Sequence, residues 1–286
     1  ARIKKPLAIA QTGKAIRNEI VARQFLFSMK EFEQMEMQFF VRPGEEMQWY
    51  DTWKEKRLKW HHAMGFGENK YRFHNHLKLA HYANAACDIE FQFPFGFKEI
   101  EGIHSRTDFD LSAHEKFSGK KLHYFDPELN KSYVPYIIET SIGLDRMFLA
   151  VLSSSFEIEK LASEKAGEEG TERVVLKMPP ALAPVKVAVF PLVKKDGLPE
   201  KAMEIFNNLK QTCRCYYEEK DTIGKRYRRQ DAIGTPFCIT VDYQSLQDNS
   251  VTIRYRDNME QERIPVEKIS HIVEEKVSLR NLLSNL

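Results

Sequence analysis

Two stretches near the start of the chain decide its reading: Ala15-Ile16-Arg17-Asn18-Glu19-Ile20 and, after a short basic loop, Phe32-Glu33-Gln34-Met35-Glu36-Met37-Gln38-Phe39-Phe40. On an extended strand, alternate side chains share a face. Arg17 and Glu19 are therefore expected to point one way, and Ile16 and Ile20 the other, toward a core. In the second stretch Met35, Met37 and Phe39 share one face, while Gln34, Glu36 and Gln38 share the opposite one. Two such strands, each with an apolar back and a charged front, make a rigid polar floor. That arrangement suits a charged ligand better than a core.

A later block, Pro135-Tyr136-Ile137-Ile138-Glu139-Thr140-Ser141-Ile142-Gly143-Leu144-Asp145-Arg146, reads as a strand entering a helix with an Arg in its first turn. Between the two lie Asp88-Ile89-Glu90, Glu99-Ile100-Glu101-Gly102-Ile103 and Arg106-Thr107-Asp108. The first stretches resemble motif 2, and the later block motif 3, of the class II aminoacyl-tRNA synthetases. The wording is similar to that of the glycyl-tRNA synthetase family, over essentially the whole chain. The resemblance implies ATP-dependent activation of glycine, transfer to tRNA(Gly), and a homodimer built through a motif 1 region. Motif 1 is not found in these residues, so the chain is expected to be part of a longer protein.

Site residues follow from that resemblance. Arg17 would bridge the substrate carboxylate and the α-phosphate with planar paired bonds. Glu19 would accept from the adenine amino group or orient Arg17. Phe32 and Arg146 would sandwich the adenine, and the helix start at Arg146 favours phosphate. Glu36, Glu139 and Ser141 resemble the glycine-recognition set, and Arg106 would hold the substrate carboxylate or a phosphate, or else pair with Asp108 or Asp110. Glu99 and Glu101 are expected on one strand face; Glu99, with Glu139, is the candidate for Mg²⁺ bridging the ATP phosphates. One position departs from the family: the second motif 2 Arg or His, four residues before the stacking Phe, is Ser28, with Lys30 on the same strand face.

Bulk properties agree with a cytoplasmic globular protein. The chain has 286 residues, 42% hydrophobic and 29% charged, with a net charge of +2. No apolar run reaches membrane-spanning length, so no membrane partner is expected. Nucleic-acid contact must come from local patches rather than from a global field. The four cysteines, Cys87, Cys213, Cys215 and Cys238, show no disulfide-framework spacing; Cys213 and Cys215 read as strand residues. His74, His76 and His81 with Cys87 lack the Cys-x-x-Cys partner of a common zinc site.

The periodicities predict strands over 7–12, 15–20, 25–27, 35–41, 88–93, 97–103 and 137–141, with helices over 46–64, 77–86 and 144–152. Residues 157–173 read as a mobile surface excursion and 179–184 as a stiff linker. Beyond, strands alternate with helices, which argues for a compact α/β domain with a mostly parallel sheet. It resembles the anticodon-binding domain of glycyl-, prolyl-, threonyl- and histidyl-tRNA synthetases. The expected fold is thus an α+β catalytic unit, an antiparallel sheet flanked by helices and lacking its N-terminal part (residues 1–178), followed by an α/β anticodon-binding domain (179–286). In the latter, Lys225, Arg226, Arg228 and Arg229 would contact tRNA phosphates, with Arg254 and Arg256 as weaker candidates. A non-catalytic, synthetase-like nucleic-acid-binding accessory protein is the alternative; a class II synthetase for another amino acid is a third possibility.

Overall fold

The computed structural model describes residues 5–21, 25–161, 170–284 and 286. In chain order the elements are β1 (Leu7–Ile16), β2 (Glu31–Val41), α1 (Glu46–Ala63), β3 (Tyr71–Asn75), β4 (Ala85–Phe93), β5 (Gly96–Thr107), α2 (Phe109–Ser118), β6 (Tyr124–Asp126), β7 (Lys131–Tyr133), β8 (Tyr136–Gly143) and α3 (Leu144–Ser155). There follow β9 (Phe156–Leu161), β10 (Thr171–Leu176), β11 (Val187–Pro191), α4 (Leu198–Leu209), β12 (Cys215–Tyr217), α5 (Ile223–Ile233) and β13 (Phe237–Val241). The last are α6 (Ser245–Asp248), β14 (Ser250–Tyr255), β15 (Gln261–Pro265), α7 (Ile269–Val277) and α8 (Leu279–Leu282). The chain divides into two compact units after Val151.

The first unit is built on a six-stranded sheet in the order β1-β2-β8-β5-β4-β3, antiparallel at every pairing. Strand alternation gives this sheet two unlike faces. On one, Ile89, Phe91, Ile103 and Ile138 are buried, and Phe39 meets Trp49 and Trp53 of α1 with ring centroids 4.9 and 5.3 Å apart. Removing these side chains from water stabilises the unit by roughly 1.5–3 kcal/mol for each fully buried one. The other face carries Gln34, Glu36, Gln38, Glu139 and Ser141, as the period-2 reading predicts.

The edge of the sheet departs from expectation. β1 runs unbroken and stops at Ile16, which is 80% exposed, and Ile20 is 96% exposed. β1 is the edge strand of the sheet, and Ile16 and Ile20 lie at and beyond its last residue. Residues 77–86 form no helix; β4 has already begun at Ala85, and an antiparallel partner wins over the local helical pattern. Phe25–Phe27 forms a single 3₁₀ turn instead of a strand.

In the second unit a five-stranded sheet runs β12-β11-β13-β14-β15. The pairings of β11 with β12 and with β13 are parallel, and those of β14 with β13 and with β15 are antiparallel. The sheet is therefore mixed. Only the four-residue α6 lies between β13 and β14, too short for the crossover that a parallel pair needs. Val187, Val189, Leu198, Ile205, Ile239, Ile253 and Val273 form its core.

The expected mobile excursion is an antiparallel pair, β9 with β10; residues 162–169 of that stretch lie outside the described residues. Its charged residue Arg173 is 1% exposed and donates to Asp231 (2.9 Å) and Glu159 (2.6 Å) and to the Arg256 carbonyl. Arg254 donates to both Asp231 oxygens at 2.8 and 3.0 Å. The expected linker turns at Pro180–Leu182 and buries Ala181 and Ala183. Gly234 ends α5 at φ +83°, where an added Cβ would meet the Leu176 carbonyl at 3.0 Å. Both the left-handed backbone and the closeness of β10 call for glycine.

Candidate active site

Two neighbouring cavities open on the polar face of the first sheet. The first is lined by Arg17, Glu19, Phe27, Ser28, Phe32, Glu99 and Arg146, among others. Arg17 and Glu19 lie just beyond β1. The Arg17 amide donates to the Lys30 carbonyl at 2.8 Å, and its guanidinium carbon sits 5.2 Å from the Phe32 ring centroid. This contact across the β1–β2 turn aims Arg17 into the cavity although the strand has ended.

Arg146 is placed by the direct run of β8 into α3. It forms an ion pair with Glu99 at 3.1 Å and donates to the carbonyls of Glu99 (3.0 Å) and Phe27 (3.2 Å). Its guanidinium carbon is 5.2 Å from the Phe27 ring. Gly143 leaves room for this side chain, since a Cβ there would lie 3.2 Å from Arg146 Cδ. Ser28 lines this cavity too; Lys30 is exposed.

The second cavity, about 650 Å³, has Glu36, Gln38, His104, Arg106, Glu139 and Ser141 in its wall. Gln38 Nε2 donates to Glu139 at 2.9 Å and also to Glu36, and Gln34 donates to Ser141. Arg106 donates to Glu139 at 3.0 Å and to Asp110 at 2.7 Å, so it is already engaged by carboxylates. His104 Nδ1 lies 3.6 Å from Glu139, and His76 bonds Asp88 at 2.8 Å. Arg17, Gln34, Glu99 and Ser141 line both cavities.

Burial and the neighbouring Glu139 charge push the Glu36 carboxyl above its ordinary range. Burial likewise raises Asp88 and lowers His104. A raised folded-state pKa means that Glu36 favours the folded state when protonated and opposes it once ionised. Glu36→Gln, neutral throughout, should therefore unfold at a higher temperature than wild type at neutral pH. The difference should vanish as pH falls below the unfolded carboxyl's value. Equal melting temperatures across pH 3.5–7.5 would contradict this.

One expected pairing fails. Glu99 and Glu101 do not share a face, because the register slips at Ile100: Ile89 pairs Glu101 but Glu90 pairs Glu99. An extra residue flips the alternation. Glu99 keeps the ligand face, and Glu101 is fully buried behind the sheet, bonded to Arg57 (2.5 Å) and His61 (2.7 Å). Cys87 is buried too and faces away from His76, since alternate residues of β4 take opposite faces. His74 sits 3.3 Å from Glu90, and His81 rests on the Phe109 ring at 5.0 Å. Among the described residues no group of three His, Cys, Asp or Glu is arranged to hold a metal ion. Sequence reasoning missed Asp88, His104, Gln34 and Gln38 as cavity residues. The last two stood on the right face in the pattern; His104 gave no signal.

In the second unit the basic run lies on α5. Arg226 is 2% exposed and donates to the Pro191 and Asp221 carbonyls, which removes it from any tRNA surface. Arg229 is paired with Glu218 and Asp221, each at 3.0 Å. Lys225 is exposed and Arg228 half-buried. Arg254 and Arg256 are buried and are not candidates. Basic residues at four of five successive helical positions spread around the helix, and Arg226 is the one turned inward.

Residues 186–276 match the model of the anticodon binding domain family. The glycine–tRNA ligase of Chlorobaculum tepidum is 49% identical over 278 residues, 97% of this chain and 58% of the relative. That of Treponema denticola is 52% identical over 284 residues, 98% of this chain and 62% of the relative. Along nearly its whole length this chain is similar to glycine–tRNA ligases. It spans about three fifths of the length of the curated relatives it matches. Two solved prolyl-tRNA synthetases share the class II fold. One, from Cryptosporidium parvum complexed with L-proline and AMP, has a TM-score of 0.63 at 16% identity over 98% of this chain and 58% of its own. The other, from Giardia lamblia with prolyl-adenylate, has a TM-score of 0.65 at 19% identity over 93% and 51%. The accessory-protein alternative is not favoured beside relatives that are named as ligases. No helix among the described residues is long and apolar enough to cross a membrane.

Proposed function

We propose that the full-length protein is a cytoplasmic glycine–tRNA ligase, and that this chain carries the part of its catalytic domain with motifs 2 and 3 and its anticodon-binding domain; the sequence pattern puts the boundary at 178/179, whereas β9 and β10 fall with the second compact unit. The observation that carries the reading is the position of Arg17, shared by both cavities. The first cavity would take ATP and the second glycine. At their junction the glycine carboxylate oxygen attacks the α-phosphorus, the bond to the β-phosphate oxygen breaks, and pyrophosphate leaves. Charge builds on the equatorial oxygens, and a planar guanidinium reaching both carboxylate and phosphate meets it there.

In the nucleotide cavity we assign adenine stacking to Phe32 and Arg146, and recognition of the amino group to Glu19. In the glycine cavity Glu36 and Glu139 hold the ammonium, and Ser141 closes the wall beside it. Arg106, held between Asp110 and Glu139, acts as a positioning residue for Glu139. Glu99, 46% exposed at the side chain and paired with Arg146 at 3.1 Å, would hold Mg²⁺ once Arg146 turns to the adenine, since that arginine is its charged partner here. Glu139, committed to Arg106 and Gln38, would not. When bound, Mg²⁺ would neutralise phosphate charge. The terminal ribose hydroxyl of tRNA(Gly) then displaces AMP from the adenylate. The subunits would pair as a homodimer. Glycine-dependent exchange of pyrophosphate into ATP by the full-length protein tests this reading, and exchange driven equally by alanine would refute it.

On α5 we assign tRNA phosphate contact to Lys225 and Arg228, with Arg229 secondary. Lys225→Ala with Arg228→Ala should weaken tRNA(Gly) binding on the order of tenfold and flatten the slope of log K against log salt by about two. Arg226→Ala should instead cost about 2 kcal/mol of stability by orphaning two carbonyls. A salt titration and a urea melt on each variant distinguish the two effects; interchanged outcomes would overturn the assignment.

A further inference from the structure

Cys213 lies in the bend after α4, and Cys215 opens β12, the edge strand of the second sheet. Their Sγ atoms are 3.5 Å apart, and both side chains are half-buried. The backbone around them is fixed: the Cys213 amide donates to the Leu209 carbonyl at 3.1 Å, and the Lys186 amide to the Arg214 carbonyl at 2.8 Å. Cys215 pairs with Val187 in the ladder, whereas Cys213 stands outside it. Among the described residues no further His, Cys, Asp or Glu completes a metal site around the pair. The other two cysteines, Cys87 and Cys238, are buried.

We propose that Cys213 and Cys215 form an oxidant-sensitive dithiol that hydrogen peroxide converts to an intramolecular disulfide. The hydrogen bond with the Cys215 thiol, with help from Thr212 and the Lys186 charge, holds the Cys213 thiol below its ordinary value, and the same contact together with burial raises Cys215. Burial raises Cys87 and pushes Cys238 up to about 12. The attacking group is therefore Cys213, since the thiolate is the nucleophile. Its sulfur displaces hydroxide from peroxide: an S–O bond forms, the O–O bond breaks, and sulfur is oxidised to the sulfenic acid while peroxide is reduced. The Cys215 sulfur then attacks the sulfenic sulfur, the S–O bond breaks, and the Cys215 proton leaves with hydroxide as water. In sum two thiols and one peroxide give one disulfide and two waters. The sulfurs must close from 3.5 Å to about 2.0 Å, and Cys213, outside the ladder, is the side that moves.

The test is peroxide treatment of the full chain at pH 7, followed by alkylation and tryptic digestion. Cleavage after Lys210, Arg214 and Lys220 puts Cys213 and Cys215 on separate short peptides. The expected product is the linked pair of peptides from a chain that stays monomeric on a non-reducing gel, separated by dithiothreitol. Cys213 should be oxidised at least about tenfold faster than Cys87 or Cys238. In Cys215→Ser a dimedone adduct should accumulate on Cys213. Absence of the linked pair at doses that oxidise Cys87 or Cys238 would overturn the proposal. So would unchanged oxidation of Cys215 in Cys213→Ser, or linkage found only between chains. The wild-type measurement stands without either variant.

Discussion

Arg17→Ala in the full-length protein should lower glycine-dependent pyrophosphate exchange by about 10²–10³, the loss typical of removing one donor to a developing oxyanion. Because Arg17 is exposed and is held chiefly by its backbone amide and its stacking on Phe32, the variant should melt with wild type. The drop should fall on kcat and on kcat/KM alike, marking an interaction made in the transition state rather than uniform binding. Arg17→Lys should recover little, because a point charge cannot pair with carboxylate and phosphate at once. Unchanged exchange in Arg17→Ala would remove the residue from the chemistry. A drop confined to the KM for ATP would make it a nucleotide anchor only.

Asp231→Ala should destabilise the second unit by about 3–5 kcal/mol, the usual result of leaving buried charges unpartnered. Asp231 is fully buried and accepts from both Arg173 and Arg254. Arg173 retains Glu159 and the Arg256 carbonyl, so Arg254 bears most of the loss. Amide hydrogen exchange in β10, α5 and β14 should quicken by about two to three orders of magnitude. Adding Arg254→Leu should recover part of the stability, since an apolar pair of similar volume avoids the desolvation penalty. A change under about 1 kcal/mol in Asp231→Ala would show that water or relaxation already serves these arginines.

What the sequence made legible was alternation, and what it concealed was whatever interrupts or terminates it. β2 and β8 keep strict period 2, so Glu36, Glu139 and Ser141 fell on the correct face before any coordinates. β5 reads equally regular, yet the bulge at Ile100 puts Glu101 behind the sheet; no residue type there announces the extra position. Ile16 and Ile20 look like core residues, but β1 ends at Ile16, so one sits at the strand's last position and the other beyond it, both exposed. The charged stretch 157–173 reads as solvated, because a sequence cannot show that Arg173 finds Asp231 58 positions away. Arg226 was hidden in a basic run for a simpler reason: composition carries no helical phase, and on α5 that phase turns it onto the Pro191 carbonyl. His104 and Asp88 enter the cavity through strand pairing alone, which is a long-range property.

The central claim is that the cavities meeting at Arg17 hold one glycyl-adenylate. Calorimetric titration of the full-length protein with a non-hydrolysable glycyl-adenylate analogue, beside its alanyl counterpart, tests it most directly. The expected result is saturable binding of the glycyl form, at least about tenfold weaker binding of the alanyl form, and loss of the heat signal in Arg17→Ala. Equal binding of both analogues, or binding that Arg17→Ala leaves untouched, would contradict it.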